Sequence, residues 1–243
     1  MKTRSLVLLG TLLLPGCGPT TPAPQVALVD IPAGTVRYQL PGAATPVAER
    51  IDGFAIMRRQ VSQAEYAACV ADGACAALDG PARGTVAADL PAVGLSWLDA
   101  GAYAAWLSRR RGERYRLPRY GEWVLAAGSA YEDEAPIVDD PRDPSRRWLA
   151  EYEREARRGV PSAQLLRFGG YGESSSGLLD VAGNVWEWTD SCFGPALGGF
   201  CGIRVAAGRH PSGLSDFVRD PVGGACSTGT PPTHLGLRLV REG

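Results

Sequence analysis

The sequence predicts a loop-rich globular fold of short strands and a few helices. Glycine and proline supply 31 and 19 of the 243 residues, about a fifth of the chain, against about 12% in average proteins. Both residues favour turns and interrupt regular structure. Apolar residues still make up 45% of the chain, which is enough for a packed core, so the excess indicates turns and not disorder.

The charge balance excludes two classes of function. Lys and Arg number 25 and Asp and Glu number 26, for a net charge of -1. An electrostatic grip on nucleic acid needs a basic face, and a polybasic membrane surface needs a local excess of Lys and Arg. We therefore expect no nucleic-acid partner. The two histidines also argue against a His-rich metal site.

The N-terminus is typical of a bacterial secretion signal. Lys2 and Arg4 precede an apolar stretch, Leu6 to Leu14, that is too short to span a bilayer comfortably. The Leu-Pro-Gly-Cys segment that ends at Cys17 resembles a lipobox, in which the Cys is lipidated. We predict a signal peptide over residues 1–16 and a lipid anchor on Cys17. The alternative is an ordinary signal peptide that is cleaved near this point.

The next segment predicts how the domain is attached. Residues 17–27 are rich in Pro and Thr and are typical of a flexible tether. Position 18 is not Asp, which favours sorting of a lipoprotein to the outer membrane. We expect a protein of the bacterial cell envelope that is lipid-anchored at the outer membrane and faces the periplasm or the surface. Export also permits disulfides.

The mature domain, residues 28–243, opens with short strands. A strand, a turn at Pro32 to Gly34 and a second strand are predicted within Leu28 to Leu40, and a further strand over Ile51 to Met57. Residues 131–160 are charged and interrupted by Pro. They have too few apolar residues for a core of their own, so we interpret them as an insertion on this one domain.

Helices are predicted over Val61–Val70, Leu95–Arg111 and Tyr120–Ala127. Ser62 is the predicted N-cap of the first, and Glu65 three residues later makes a capping box. Ser96 is the predicted cap of the second, and Asp99 occupies its third helical position, where a carboxylate favours the helix dipole. Gly112 then ends the second helix, after three arginines in its last turn.

Besides Cys17 the chain has five cysteines, so one thiol is unpaired or used differently. Cys69 and Cys75 flank five residues at the end of the first helix, and we predict a disulfide between them. Cys192 and Cys201 flank a Gly/Pro-rich loop and could pair with each other. Cys226 could instead take one of them and leave the other free.

Two segments resemble the signature blocks of the formylglycine-generating enzyme family, the sulfatase-modifying-factor domain. They are RYRLPRYGEW (Arg114 to Trp123) and GLLDVAGNVWEWTD (Gly177 to Asp190). The pieces VDIPAGTV, FAIMRRQVSQAEY, LPAVGLSWLDAGAYAAWL and HLGLRLV fall in family order, the last as a closing strand. The resemblance covers nearly everything from Leu28 to Gly243. It implies an α+β, C-type-lectin-like fold with short strands, few helices and long loops.

The second block implies a structural calcium site. The resemblance assigns the ligands to Asp180, Gly183, Val185 and Glu187, and Ca²⁺ takes six to eight oxygens from carboxylates, carbonyls and water. In the alternative interpretation Asp180 caps the turn and Glu187 pairs with an Arg. A second family site, upstream, needs Asn and Asp ligands that residues 167–177 do not show, so we expect it to be absent.

The catalytic part of the family pattern is missing. The family's enzymes hold copper with two Cys that follow an R-V-x-R-G-G-S-W segment, because soft thiolates select Cu(I). In the corresponding segment, residues 203–221, Gly-Gly-Ser has become Ala207-Gly208-Arg209 and no Cys follows until Cys226. Ser212 and Ser215 cannot replace a thiolate. We therefore expect no bound copper, and Cys226 is only a weak catalytic candidate.

These observations favour a non-catalytic exported lipoprotein that binds a small ligand or a protein. Loops on a rigid scaffold usually carry function, and the candidates are Ser191 to Gly213 and residues 131–160. One alternative is an oxidoreductase of the formylglycine-generating type that uses Cys226 or altered chemistry. Another is a structural envelope component. The related iron-dependent sulfoxide synthases need a His cluster, and His210 and His234 do not supply one.

Overall fold

A computed structural model describes residues 25–40, 45–78, 86–132, 142–143, 145–146, 149, 152–153, 164–192, 201, 204–210 and 234–243. The predicted signal peptide, Cys17, most of the predicted tether, most of the predicted insertion at 131–160, and Cys226 therefore lie outside the described residues. The strands are β1 (Leu28–Ile31), β2 (Gly34–Tyr38), β3 (Val47–Ile51), β4 (Phe54–Met57), β5 (Tyr115–Arg116), β6 (Trp186–Cys192), β7 (Arg204–Gly208), β8 (Leu235–Gly236) and β9 (Val240–Arg241). The α helices are α1 (Gln63–Ala71), α2 (Trp97–Arg111) and α3 (Tyr120–Ala127), and a 3-10 turn, Gly128–Ala130, follows α3.

The strands form three small sheets. The first is antiparallel with the order β1-β4-β9-β5, and the second is the β2-β3 hairpin. The third has the order β7-β6-β8, with β7 antiparallel and β8 parallel to β6. Because β1 pairs with β4 and not with β2, the two opening strands belong to different sheets.

Two predicted strands are each divided by a turn or an irregular segment. The stretch predicted over Ile51 to Met57 is the last residue of β3, a turn, and then β4. The closing strand is also wrong as a single element, because β8 pairs with β6 while β9 joins β4 and β5. The chain crosses between the sheets at Leu237, Arg238 and Leu239, where the carbonyls of the two leucines accept bonds from Val61 and Met57.

The helix predictions are confirmed, including their caps. Ser62 and Ser96 each accept a bond from the third helical N–H, and the carboxylates of Glu65 and Asp99 bond back to the capping residues. Gly112 ends α2 in the left-handed conformation, with φ of 69°. None of the helices in the described part of the chain is long and apolar enough to cross a membrane.

The core has two apolar clusters on either side of β6. One contains α1, the inner face of α2, and Trp186 and Trp188 from β6. The other contains α3 with parts of β2, β3 and β7. The side chains of a strand alternate between its faces, so the residue between the two tryptophans, Glu187, is directed away from them. The candidate functional site is built around this carboxylate.

Candidate functional site

The carboxylate of Glu187 is buried and fully hydrogen-bonded. The residue is 1% exposed. Its Oε1 accepts bonds from Gln60 Nε2 at 2.6 Å and Arg238 Nη2 at 2.8 Å. Its Oε2 accepts bonds from Arg238 Nε at 2.9 Å and Trp123 Nε1 at 2.8 Å. Four donors from three other segments therefore converge on one side chain of β6.

Arg238 is the cationic partner and is itself completely buried. Besides the two bonds to Glu187, its guanidinium donates to the carbonyls of Met57 at 3.2 Å, Arg58 at 2.9 Å and Leu179 at 2.7 Å. These contacts use all three nitrogens. A buried ion pair is tolerated only when the remaining donors and acceptors are satisfied, and here both partners are.

Asp180 and Asn184 hold the loop that precedes them. Both adopt left-handed backbone conformations, with φ of 59° and 73°. The Asp180 carboxylate accepts bonds from the backbone N–H groups of Gly169 at 2.7 Å and Tyr171 at 2.8 Å. The Asn184 amide bonds to both backbone groups of Leu166. These bonds hold residues 166–171 against the turn that precedes β6.

An aromatic cleft opens beside this buried pair. It is lined by Tyr120, Trp123, Ala130, Tyr131, Glu132, Val181, Trp186, Ala206, Gly208 and Arg209, and the enclosed space is small, about 20 Å³. A methyl group on Gly208 would lie 3.2 Å from the Val185 carbonyl and 3.8 Å from the Trp123 ring. Its φ of 103° also favours glycine, so this residue keeps the cleft open.

Opposite charges meet at the mouth of the aromatic cleft. Arg209 Nη1 lies 2.9 Å from Glu132 Oε2, and the two side chains are 55% and 65% exposed. An ion pair in such contact with water contributes little to stability.

A family model described as the sulfatase-modifying factor enzyme 1-like domain matches residues 17–243. The chain belongs to this family. The signature blocks predicted from the sequence meet in the structure: Tyr120 and Trp123 come from the first block and Trp186 from the second, and all three line the aromatic cleft.

Curated relatives of this sulfatase-modifying-factor chain include proteins named as active and as inactive. The inactive C-alpha-formylglycine-generating enzyme 2 of Mus musculus is 33% identical over 111 residues, which are 44% of this chain and 34% of the relative. The formylglycine-generating enzyme of Streptomyces coelicolor is 32% identical over 112 residues, which are 43% and 33% of the two chains. The matches thus span about a third of each relative's length.

Solved structures confirm the predicted α+β fold. PvdO from Pseudomonas aeruginosa superposes with a TM-score of 0.59 at 23% identity and covers 88% of this chain and 94% of its own. CarF gives a TM-score of 0.57 at 20% identity, with coverage of 89% and 98%. At such identities the likeness concerns the fold.

The carboxylates as placed do not fit the calcium site that the family resemblance implies. Both oxygens of Glu187 already face donors, two of them from a guanidinium, and both oxygens of Asp180 accept backbone N–H groups. The Gln60 Oε1 atom is buried without a hydrogen bond, but one amide oxygen is far from the six to eight that Ca²⁺ takes. The geometry favours the alternative interpretation, a capped turn and an ion pair. Calcium binding stays a prediction.

One of the two backbone carbonyls of the predicted calcium set has another contact. The Gly183 carbonyl accepts a bond from the Val185 N–H at 3.0 Å. A methyl group on Gly183 would lie 2.2 Å from the Tyr171 ring, so the glycine allows that ring to pack on the turn. No group of three or more His, Cys, Asp or Glu side chains within the described ranges could hold a metal ion.

The structure contains disulfides between Cys69 and Cys75 and between Cys192 and Cys201. The sequence left the partners of Cys192 and Cys201 open. In the structure they pair with each other and close the connection between β6 and β7. Cys226, Ser212 and Ser215 lie outside the described residues.

The two histidines stack on each other beyond the start of β6. The His210 and His234 rings are 4.6 Å apart between centroids and 9° from parallel. Burial, and then the neighbouring His210, lower the pKa of His234 to about 4. The imidazole of His234 is therefore neutral at pH 7. Sequence analysis missed this pair because 23 residues separate the two.

The aromatic cleft was also missed from the sequence, although a signal for part of it exists. Tyr120 and Trp123 are spaced to share one face of α3. Trp186 and Arg209 reach the same place only through the pairing of β6 with β7, in which Trp186 lies opposite Gly208. The sequence around either residue does not reveal how β6 and β7 pair.

Chelation distinguishes the two interpretations of Glu187. If the carboxylate is neutralised by Arg238, we expect EGTA to leave the melting temperature of the full chain unchanged and Glu187→Gln to lower it with or without Ca²⁺. Glu173→Gln, on an exposed ion pair, is the matched control and should have little effect. A fall in melting temperature with EGTA that Glu187→Gln abolishes would support the calcium site instead.

The pH dependence of stability tests the environment of His234. Its pKa of about 4 in the folded protein lies below the unfolded value of about 6.5. The unfolded chain therefore binds the proton first, and the free energy of unfolding decreases as the pH falls from about 6.5 to 4. Glu65 and Glu122, whose pKa values are lowered by hydrogen bonds and neighbouring arginines, lose their contributions only below their ordinary values of 4.5.

We expect His234→Gln to flatten the upper part of this window, between about pH 5 and 6.5, in urea denaturation. His210→Gln should flatten it less, because burial is the larger cause of the shift. An unchanged slope in His234→Gln would show that this imidazole is not buried as described.

Proposed function

We propose that the protein is a non-catalytic member of the sulfatase-modifying-factor family that acts as a ligand- or protein-binding module. It is exported and anchored to the bacterial envelope by a lipid on Cys17. The occurrence of inactive proteins among the relatives of this chain is consistent with a non-catalytic role.

The observation that carries this proposal is the use of the cysteines. Four of the six are in disulfides, so only Cys17 and Cys226 remain. Lipidation of Cys17 leaves a single thiol. Copper binding of the kind found in the family's enzymes needs two thiolates, because soft sulfur ligands select Cu(I). One thiol cannot supply that pair.

The aromatic cleft supports the binding role. The two loops that the sequence favoured, Ser191 to Gly213 and residues 131–160, both contribute to it through their described parts. The first of these segments is only partly a loop, because it contains β7; it supplies Gly208, the last residue of β7, and Arg209. The second supplies Tyr131 and Glu132. Binding residues are often carried on loops that a rigid scaffold positions.

Copper titration of the protein with its two disulfides intact tests the proposal. We expect no stoichiometric, high-affinity Cu(I) binding under conditions that keep Cys226 reduced, and no difference between the parent chain and Cys226→Ser. The formylglycine-generating enzyme of Streptomyces coelicolor, titrated in parallel, is the positive control, since we expect its copper site to be intact. Tight binding of one Cu(I) that Cys226→Ser abolishes would establish the oxidoreductase alternative.

A further inference from the structure

We propose that one face of the domain lies against the membrane surface, with the side chains of Leu166, Phe168 and Tyr171 among the phospholipid headgroups. These three side chains form the tether-side patch. The inference rests on the proposed lipid anchor at Cys17 and adds which face of the domain is turned toward the bilayer.

The tether-side patch is apolar, partly exposed and held in place. Leu166 and Tyr171 are each 38% exposed, and Phe168 is half-buried. The buried carboxylate of Asp180 holds the backbone at Tyr171, and the Asn184 amide holds it at Leu166. Contiguous exposed apolar side chains are typical of surfaces that contact proteins or membranes, and tyrosine is enriched where a membrane meets water.

The chain enters the domain from the predicted tether beside this patch. The Ala27 carbonyl accepts a bond from the Arg58 N–H at 2.9 Å, and the Arg58 carbonyl accepts one from the Leu179 N–H at 2.8 Å. The residue after Leu179 is Asp180, which holds Tyr171. A short series of backbone hydrogen bonds therefore connects the end of the tether to the segment that carries the patch.

The length of the tether limits which face can meet the bilayer. Cys17 and Ala27 are ten residues apart, which is at most about 36 Å of extended chain. A compact domain of this size has a radius of about 20 Å, so a tether that ran round it from the far side would need about 50 Å. The membrane therefore faces the half of the domain that contains Ala27, and the patch lies in that half.

The charges around the patch fit a zwitterionic membrane. Three arginines border it, and each is paired with a carboxylate. The pairs are Arg58 with Glu173, Arg59 with Glu65 and Arg167 with Asp89. Arg59 also lies over the Phe168 ring, 4.6 Å from its centroid, and a long arginine side chain can cover apolar surface while its charged end stays at headgroup level. Because these charges cancel, we expect the contact to need no anionic lipid.

Arginine labelling on vesicles tests the proposal. The lipidated full chain, with a site for a sequence-specific protease inserted after Thr21 in the predicted tether, is placed in the outer leaflet of phosphatidylcholine vesicles. Arg167 reports on the patch. Its matched control is Arg114, which precedes β5 at the opposite edge of the first sheet from β1. The two side chains are 80% and 84% exposed, and both are in ion pairs.

We expect a water-soluble phenylglyoxal to modify Arg167 at least about threefold more slowly on the vesicles than after protease release, and Arg114 at the same rate in both states. Equal rates for Arg167 would overturn the proposal. Protection of Arg167 that persists after release and increases with protein concentration would show that a second copy of the chain covers the patch, which also overturns it.

A charged substitution tests the patch itself. Leu166→Glu should abolish the protection of Arg167, because a carboxylate opposes insertion of the patch among the headgroups. Leu98→Glu, at a leucine of α2 that is 48% exposed, is the matched control and should keep the protection. Unchanged melting temperatures confirm that both variants fold. Protection retained in Leu166→Glu, or lost equally in both variants, would contradict the role of the patch.

The outcome is separable from that of the proposed function. If mass spectrometry finds a lipid on Cys17 and Arg167 is not protected, only the membrane-facing patch is overturned. If Cys17 carries no lipid, the anchor is overturned and this inference with it. The non-catalytic role is decided separately, by the copper titration.

Discussion

The buried pair of Glu187 and Arg238 is the interaction on which the rest of the structure depends. It joins β6 to the link between β8 and β9, and through the carbonyls of Met57, Arg58 and Leu179 it reaches the end of β4 and the turn before β6. The sheets of this fold are small and separate. The Glu187–Arg238 pair joins the ends of these sheets and therefore fixes their relative arrangement, which strand pairing alone does not do.

The same pair positions the aromatic cleft. Trp123 donates its indole N–H to Glu187 while its ring lines the cleft. The neighbouring residue of Glu187, Trp186, also lines the cleft. Glu187 thus positions Trp123 by a hydrogen bond, and the strand that carries Glu187 positions Trp186. This links the stability of the core to the shape of the surface site.

Local features were predictable from the sequence and long-range ones were not. The starts of the helices after Ser62 and Ser96 were predictable because the capping residues lie within four positions of each other. The disulfide between Cys69 and Cys75 was predictable because it closes a short loop. The partner of Glu187 lies 51 residues away, so the sequence suggested only that some Arg could pair with it. The closing segment was predicted as one strand because no Gly or Pro marks Leu237 to Leu239, where the chain passes from one sheet to the other.

A double-mutant cycle on Glu187→Gln and Arg238→Met, measured by urea denaturation of the oxidised protein, tests this account most directly. Removing one partner of a buried ion pair leaves the other uncompensated and costs about 3–5 kcal/mol. We predict that each single variant loses stability of this order and that the double variant loses at least about 1 kcal/mol less than the sum, within the coupling range of about 0.5–3 kcal/mol for residues in contact. Single losses below about 1 kcal/mol that add without coupling would contradict the account.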